Sequence, residues 1–314
     1  MESAALKSSR AKVQHLRRTF DDGSSVIRAN RQKEFAMSTD SITQTPMIDL
    51  NDGRSIPQLG FGTYKIEDDK DAEQAVKKAV EIGYQLVDTA AVYKNEKGVG
   101  AGLQGKDDIW LTTKVWNESQ GYDRALKAFD KCLDRLGRDS VDLVLIHWPC
   151  PDDNLYVDTW KAFIEIQKAG KAKSIGVSNF LEPHLKRLAD ETGVLPVLNQ
   201  IELHPSFQQK DARRVHADMG IAIQSWSPLG QGEALDSDVV KRIAEKTGKS
   251  PAQVVLRWHI DNGLCVIPKA SSEKHMRDNF GVLDFTLSQD DLEAFEALDS
   301  KDGRMGPDPA TMNS

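Results

Sequence analysis

Unbroken apolar runs alternate with stretches in which apolar positions recur every three or four residues, from about position 60 to the end of the chain. The plainest unbroken run is VDLVLIHWP, Val141 to Pro149. A run rich in Val, Ile and Leu reads as a strand buried on both faces, the habit of a parallel sheet. Pro149 has no N–H for a ladder, so the strand must stop before it and leaves His147 at its carboxyl end. LVDTA brings Asp88 to the same kind of position, with Tyr93 five residues further on, and IWLTTKVW brings Lys114. GFGT, KSIGVSN, VLNQIEL, IAIQSWSP and CVIPKA are further strands.

The intervening stretches read as amphipathic helices. Asp71 to Gly83 carries Ala72, Ala75, Val76, Ala79, Val80 and Ile82 on one stripe and ends on glycine, as helices often do. Tyr122 to Gly137 has the same design. Helices are also predicted near Glu96–Leu103, Tyr156–Ala169, Glu182–Glu191, Lys210–Met219, Ser237–Lys246, Pro251–Asn262, Glu273–Phe280 and Ser288–Leu298. Eight strands, each followed by helix, predict an α/β fold and specifically a (β/α)8 TIM barrel. Before the first barrel strand, MIDLNDGRSIPQL carries an Asp-Gly pair between short apolar stretches, the signal of a β-hairpin. It is expected to close the bottom of the barrel.

Thr63, Asp88, Lys114, His147, Asn179, Gln200, Trp226 and Lys269 all fall at or near strand carboxyl ends. In a barrel those ends converge on one face, which is where ligands and chemistry belong. Taken singly, each has a bland reading: a cap, a solvated lysine, a packed histidine. Taken together, Asp88, Tyr93, Lys114 and His147 form a proton-handling set suited to carbonyl reduction. A carbonyl that accepts hydride develops negative charge on oxygen and needs a proton donor there. A phenol has a reference pKa of about 10, and a nearby ammonium lowers it. Tyr93 is therefore the expected acid, Lys114 its tuner, Asp88 the anchor of Lys114, and His147 the group that orients the carbonyl.

Composition narrows the rest. The chain has 314 residues, 39% of them hydrophobic, which suffices for a sizeable core. A formal net charge of -7 gives no general attraction to nucleic acid or anionic membrane. Three widely spaced cysteines, Cys132, Cys150 and Cys265, fit free thiols in the cytoplasm. The first 36 residues hold eight Lys or Arg against four Asp or Glu and few large apolar residues. They are expected to be a disordered extension, with residues 37–314 forming one barrel domain. No metal site is expected, because the seven histidines show no ligand spacing. GAGLQG, Gly100 to Gly105, fits a dinucleotide-binding pattern but sits at a helix end instead of opening one, so it carries no weight.

The late strands offer a cofactor face. Ser178, Asn179 and Gln200 can hold a carboxamide, and Trp226 can stack on a flat ring. Backbone donors from Leu229 to Gly232, with Lys269 and Ser271, can hold phosphates.

GFGTY, VDTAAVYKNEKGVG, LTTKVW, DLVLIHWP, IGVSNF, NQIELHP, SWSPLGQG and IPKASS occur in the order seen in the aldo-keto reductases. The chain resembles that family from about Met47 onward, most of all its bacterial 2,5-diketo-D-gluconic acid reductases. The resemblance implies NADPH as cofactor, small carbonyl substrates and a monomer. It implies Asp88, Tyr93, Lys114 and His147 as the catalytic four. For the cofactor it implies Thr63, Tyr64, Ser178, Asn179, Gln200, Trp226, Ser227, Leu229, Gln231, Lys269, Ala270, Ser271, His275, Asp278 and Asn279. Relatives often carry Arg where His275 stands, near the adenosine 2'-phosphate, so NADH is the alternative cofactor. Tyr64, Trp116, Asn117, His147 and Trp148 are the expected substrate wall, and the short tail after Asp299 predicts an open mouth. Two other readings use the same fold: a nicotinamide-binding sensor with negligible turnover, and an isomerase or aldolase forming a Schiff base on Lys114.

Overall fold

The structure, a computed structural model, describes residues 45–313. The expectation for residues 1–36 therefore lies outside the described residues. A short antiparallel pair, β1 (Met47–Asp49) and β2 (Ser55–Pro57), comes first. Eight parallel strands follow: β3 (Phe61–Gly62), β4 (Leu86–Asp88), β5 (Trp110–Val115), β6 (Val141–Ile146), β7 (Ala172–Ser178), β8 (Leu198–Glu202), β9 (Ala222–Trp226) and β10 (Cys265–Val266). From β4 onward each strand pairs with its predecessor in sequence. The ring closes where Val266 N donates to the Gln58 carbonyl at 2.8 Å and Gly60 N to the Val266 carbonyl at 2.8 Å. Strand order and closure together make a (β/α)8 barrel.

Helices return the chain between strands. They are α1 (Asp69–Ile82), α2 (Glu96–Gly102), α3 (Tyr122–Leu136), α4 (Tyr156–Lys168), α5 (Glu182–Thr192), α6 (Lys210–Met219), α7 (Asp238–Thr247), α8 (Pro251–Asp261), α9 (Glu273–Phe280) and α10 (Gln289–Ala294). Their starts follow from local chemistry. Asp68 accepts from Lys70 N and Asp71 N at the head of α1, and Ser250 with Gln253 forms a capping box on α8. The glycines of GAGLQG serve packing. A Cβ on Gly100 would lie 2.1 Å from the Leu136 carbonyl oxygen, so α2 approaches the end of α3 closely only because that side chain is absent.

Near the end of the chain two elements stop short of the sequence pattern. The last barrel strand covers Cys265–Val266 and not the whole run to Ala270. Pro268 lacks an N–H, and beyond Val266 its carbonyl merely accepts from Gly62 N at 3.2 Å. The final helix ends at Ala294 and tightens into a 3-10 turn, Phe295–Leu298.

The hairpin closes the amino-terminal end of the barrel. Asn51 Nδ2 donates to the carbonyls of Pro196 and Gly220, just before β8 and β9. Ser174 Oγ donates to Asp52 Oδ2 at 2.7 Å beside the start of β7. Leu50 and Ile56 of the hairpin then share an apolar cluster with Leu86, Leu143, Leu145, Leu198 and Ile267. A filled interior leaves chemistry to the opposite, carboxyl-terminal face. Among the described residues, no helix is long and apolar enough to cross a membrane.

Candidate active site

Lys114 stands at the centre of that face, fully buried. Its Nζ donates to Asp88 Oδ1 at 2.5 Å, to the Thr89 carbonyl at 2.9 Å and to Tyr93 Oη at 3.3 Å. An ammonium has three N–H groups, and these acceptors engage all three. Because Tyr93 Oη accepts from Lys114, its own O–H is left to point elsewhere. Asp88 ends β4, Lys114 lies one residue before the end of β5, and Tyr93 closes a 3-10 turn, Ala91–Tyr93. Asn95 holds that turn down: its Nδ2 donates to the Thr63 and Ile66 carbonyls, and its Oδ1 accepts from Thr89 Oγ1 at 2.7 Å.

Burial shapes the electrostatics. It pushes Asp88 up and Lys114 down, while each charge steadies the other across the ion pair. Burial also pushes the Tyr93 phenol well above its ordinary range, and the Asp88 carboxylate and Tyr64 push the same way. That corrects the expectation that Lys114 would lower it. Loss of solvent, and after it the carboxylate, set the direction, and the ammonium is committed to Asp88. His147 is driven well below its ordinary value by burial and by Lys114, so it is neutral near pH 7. Its ring stands edge-on to Tyr93, with centroids 5.8 Å apart, and to Trp116 at 4.9 Å. The arrangement thus offers a protonated phenol, a neutral imidazole and a buried cation at one spot.

The carboxamide-type groups lie beside it. Asn179 Nδ2 donates to the His147 carbonyl at 3.0 Å and to Ser178 Oγ at 3.1 Å, and its Oδ1 accepts from Trp226 Nε1 at 2.8 Å. Ser178 Oγ donates to the Gln200 carbonyl at 2.8 Å. Gln200 Nε2 donates to Asp88 Oδ2 at 2.8 Å, which ties this group to the charged one. Thr63 is buried, with its hydroxyl on the Asp88 carbonyl at 3.0 Å. Next come Ser227 and Gln231, both with left-handed backbone (φ 48 and 51), around the turn through Leu229 and Gly232. Lys269 is exposed with its Nζ on Ser271 Oγ at 2.7 Å, while Ala270 is buried beneath. Ser272 caps α9, placing exposed His275 on its first turn and Asp278 and Asn279 on its second. A helix N-terminus with a lysine and hydroxyls beside it suits phosphate.

The substrate-wall residues divide. Tyr64 is 57% exposed and packs on Tyr93, with centroids 5.1 Å apart. Trp116 is half-buried. Trp148 and Asn117 are sealed at 7% and 3% exposure, and neither amide atom of Asn117 has a hydrogen-bond partner. The tail does not leave the mouth clear. Ser300 N donates to the Ser206 carbonyl at 3.1 Å, and the Arg304 guanidinium lies 4.8 Å from the Phe207 ring centre. Met305 N and Gly306 N donate to buried Glu202 at 2.6 and 3.0 Å. Asn313 and Asp152 exchange two hydrogen bonds. The segment therefore runs from the loop after β8 to the loop after β6, and a Cβ on Gly306 would meet the Trp226 ring at 2.5 Å. Glu202, Asn95 and Gln224 were not singled out in the sequence. Gln224 precedes Trp226 by two, the spacing that repeats a strand face, which was the one available signal.

A model of the aldo/keto reductase family matches residues 58–300. The glyoxal reductase of Bacillus subtilis is 45% identical over 266 residues, covering 83% of this chain and 95% of that protein. The methylglyoxal reductase DkgA of Yersinia pestis is 45% identical over 279 residues, covering 87% and 99%. A solved structure of a Gox0644 variant in complex with NADPH is 49% identical, with a TM-score of 0.84, covering 86% of this chain and 99% of that one. On the match over residues 58–300 and these identities, the chain belongs to the aldo/keto reductase family.

Proposed function

We propose that the chain is an NADPH-dependent carbonyl reductase, with residues 37–314 as one barrel domain and Tyr93 as the general acid. The observation that carries the reading is Lys114, whose three donors hold Asp88, Thr89 and Tyr93 together at one strand end. NADPH, when bound, supplies the hydride. The half-buried Trp226 ring, the amides of Asn179 and Gln200, and the Lys269–Ser271 pair before α9 suit its flat ring, its carboxamide and its phosphates. His147, neutral and beside Tyr93, orients the carbonyl. Tyr93 transfers its proton to the carbonyl oxygen as negative charge forms there. Asp88 holds Lys114 charged and in place, and the Lys114 ammonium faces the phenolate left behind. The engagement of all three Lys114 donors speaks against a Schiff base on that residue, which would require a free amine.

Glyoxal and methylglyoxal, named for two relatives, head the substrate class, followed by small polar aldehydes, ketones and keto-sugar acids such as 2,5-diketo-D-gluconate. The aromatic mouth of Tyr64 and Trp116 gives apolar contact without a charge that would select one carbonyl. We extend the reading to a monomer in the cytoplasm that takes no nucleic acid or membrane partner, consistent with its net charge of -7. A panel of these carbonyls, run with NADPH and NADH in parallel, tests the function. Turnover of the dicarbonyls with preference for NADPH is the expected result. Nucleotide binding without turnover of any of them would favour a sensor instead.

A further inference from the structure

Gln224, on β9, has no role in the reading above, yet it touches the centre of the site. It is fully buried, and its Oε1 accepts from Gln200 Nε2 at 2.6 Å. The same Gln200 nitrogen donates to Asp88 Oδ2 at 2.8 Å. A primary amide has two N–H groups, so both are committed, and the group that remains to meet a ligand is the acceptor Oε1. Asp88 is engaged on both sides as well, with Lys114 on Oδ1 and Gln200 on Oδ2. One hydrogen-bonded chain therefore crosses the barrel: Gln224, Gln200, Asp88, Lys114, Tyr93.

Stability alone does not explain the glutamine. Its own Nε2 is sealed from solvent with no partner. A buried unpaired donor works against folding, and each such group calls for a reason. Methionine, of similar length and volume, would fill the space without burying that donor.

We infer that Gln224 is a positioning residue that makes Gln200 a pure acceptor toward the cofactor, so that the site reads the carboxamide through its NH2 group. The inference rests on the reading of the site as one that binds NADPH with Gln200 at the nicotinamide. Removing Gln224 releases one Gln200 N–H while Asp88 retains the other. The amide then turns and offers a donor, and a ring bearing a carbonyl without an NH2 is no longer disfavoured.

The test compares NADP+ with its 3-acetylpyridine analogue, in which a methyl ketone replaces the carboxamide. Dissociation constants are measured by tryptophan fluorescence quenching on the full chain. Wild type binds NADP+ more tightly than the analogue. Gln224→Met and Gln224→Leu, which take the amide acceptor away, reduce that ratio about three- to tenfold, the range of one net hydrogen bond. Gln224→Glu, which keeps an oxygen on the Gln200 N–H, retains most of it. Melting temperatures confirm that each variant is folded, and two loss variants guard against one that is not. Equal weakening of both nucleotides, or an unchanged ratio, overturns the inference while leaving the function intact. Wild-type protein that binds neither nucleotide overturns the functional reading and this inference with it.

Discussion

The proton donation proposed for Tyr93 requires a phenol that remains protonated while a cation sits 3.3 Å away. Burial, then the Asp88 carboxylate and Tyr64, raise its pKa, so the acid form persists through neutral pH. The free-enzyme kcat/KM for carbonyl reduction is therefore expected to stay flat as pH rises and to fall only beyond the ordinary phenol value of about 10. A fall centred near neutrality would mean that Lys114 dominates the phenol after all. His147 has the opposite sign. Burial and Lys114 lower its pKa, so it loses its proton well below pH 7 and no loss of rate from its protonation is expected between about pH 6 and 8. His275 is exposed on the first turn of α9, where an arginine would present a fork of permanently charged donors. His275→Arg should tighten NADPH about tenfold and leave NADH unchanged, since a charge-assisted hydrogen bond contributes about 1.5–3 kcal/mol. Fluorescence titration with both nucleotides checks it. An equal shift for the two would place His275 away from the 2'-phosphate.

At the scale of elements, the tail segment from Ser300 to Asn313 depends on Glu202. Burial pushes that carboxyl up, but hydrogen bonds from His204 and from the N–H groups of Met305 and Gly306 outweigh it and hold the carboxyl below its usual range. A depressed carboxyl stabilises the fold above its unfolded value, about 4.3, and that contribution disappears as pH falls through the folded value. Docking of the tail should therefore persist at neutral pH and weaken below about pH 4. Glu202→Ala leaves two N–H groups without their acceptor, at a cost of roughly 1–3 kcal/mol. Amide exchange at Met305 and Gly306 should accelerate, with a drop in melting temperature of about 2–4 °C per kcal/mol. Unchanged exchange at those two amides would show that other contacts hold the tail. None of this was legible in the sequence, because Glu202 and Met305 lie 103 positions apart and neither belongs to a periodic pattern. The barrel strands were legible, because burial on both faces writes a continuous apolar run. The tenth strand and the last helix were read too long, since neither Pro268 nor the tightening at Phe295 alters the apolar pattern.

The described residues form a barrel packed in the middle and closed below by the hairpin, with the candidate site above. Asp88, Lys114 and His147 could be placed from sequence because each ends an apolar run, and strand ends in a closed parallel barrel share a face. Their couplings could not be placed: that Gln200 joins Asp88, or that Asn95 pins the turn carrying Tyr93, follows from pairs set by the ring of strands, not by spacing along the chain. The sign of the Tyr93 shift was misread for the same reason, since burial and the competing carboxylate depend on what surrounds the phenol. The most direct measurement is a single turnover. Wild type and Tyr93→Phe are each preloaded with NADPH and mixed with methylglyoxal in a stopped-flow instrument, and nucleotide absorbance is followed. The variant is expected to be slower by roughly 10²–10⁴-fold, the usual worth of a general acid, with NADPH affinity within about twofold of wild type. A variant that turns over at the wild-type rate, or that loses NADPH affinity as steeply as it loses rate, would contradict it.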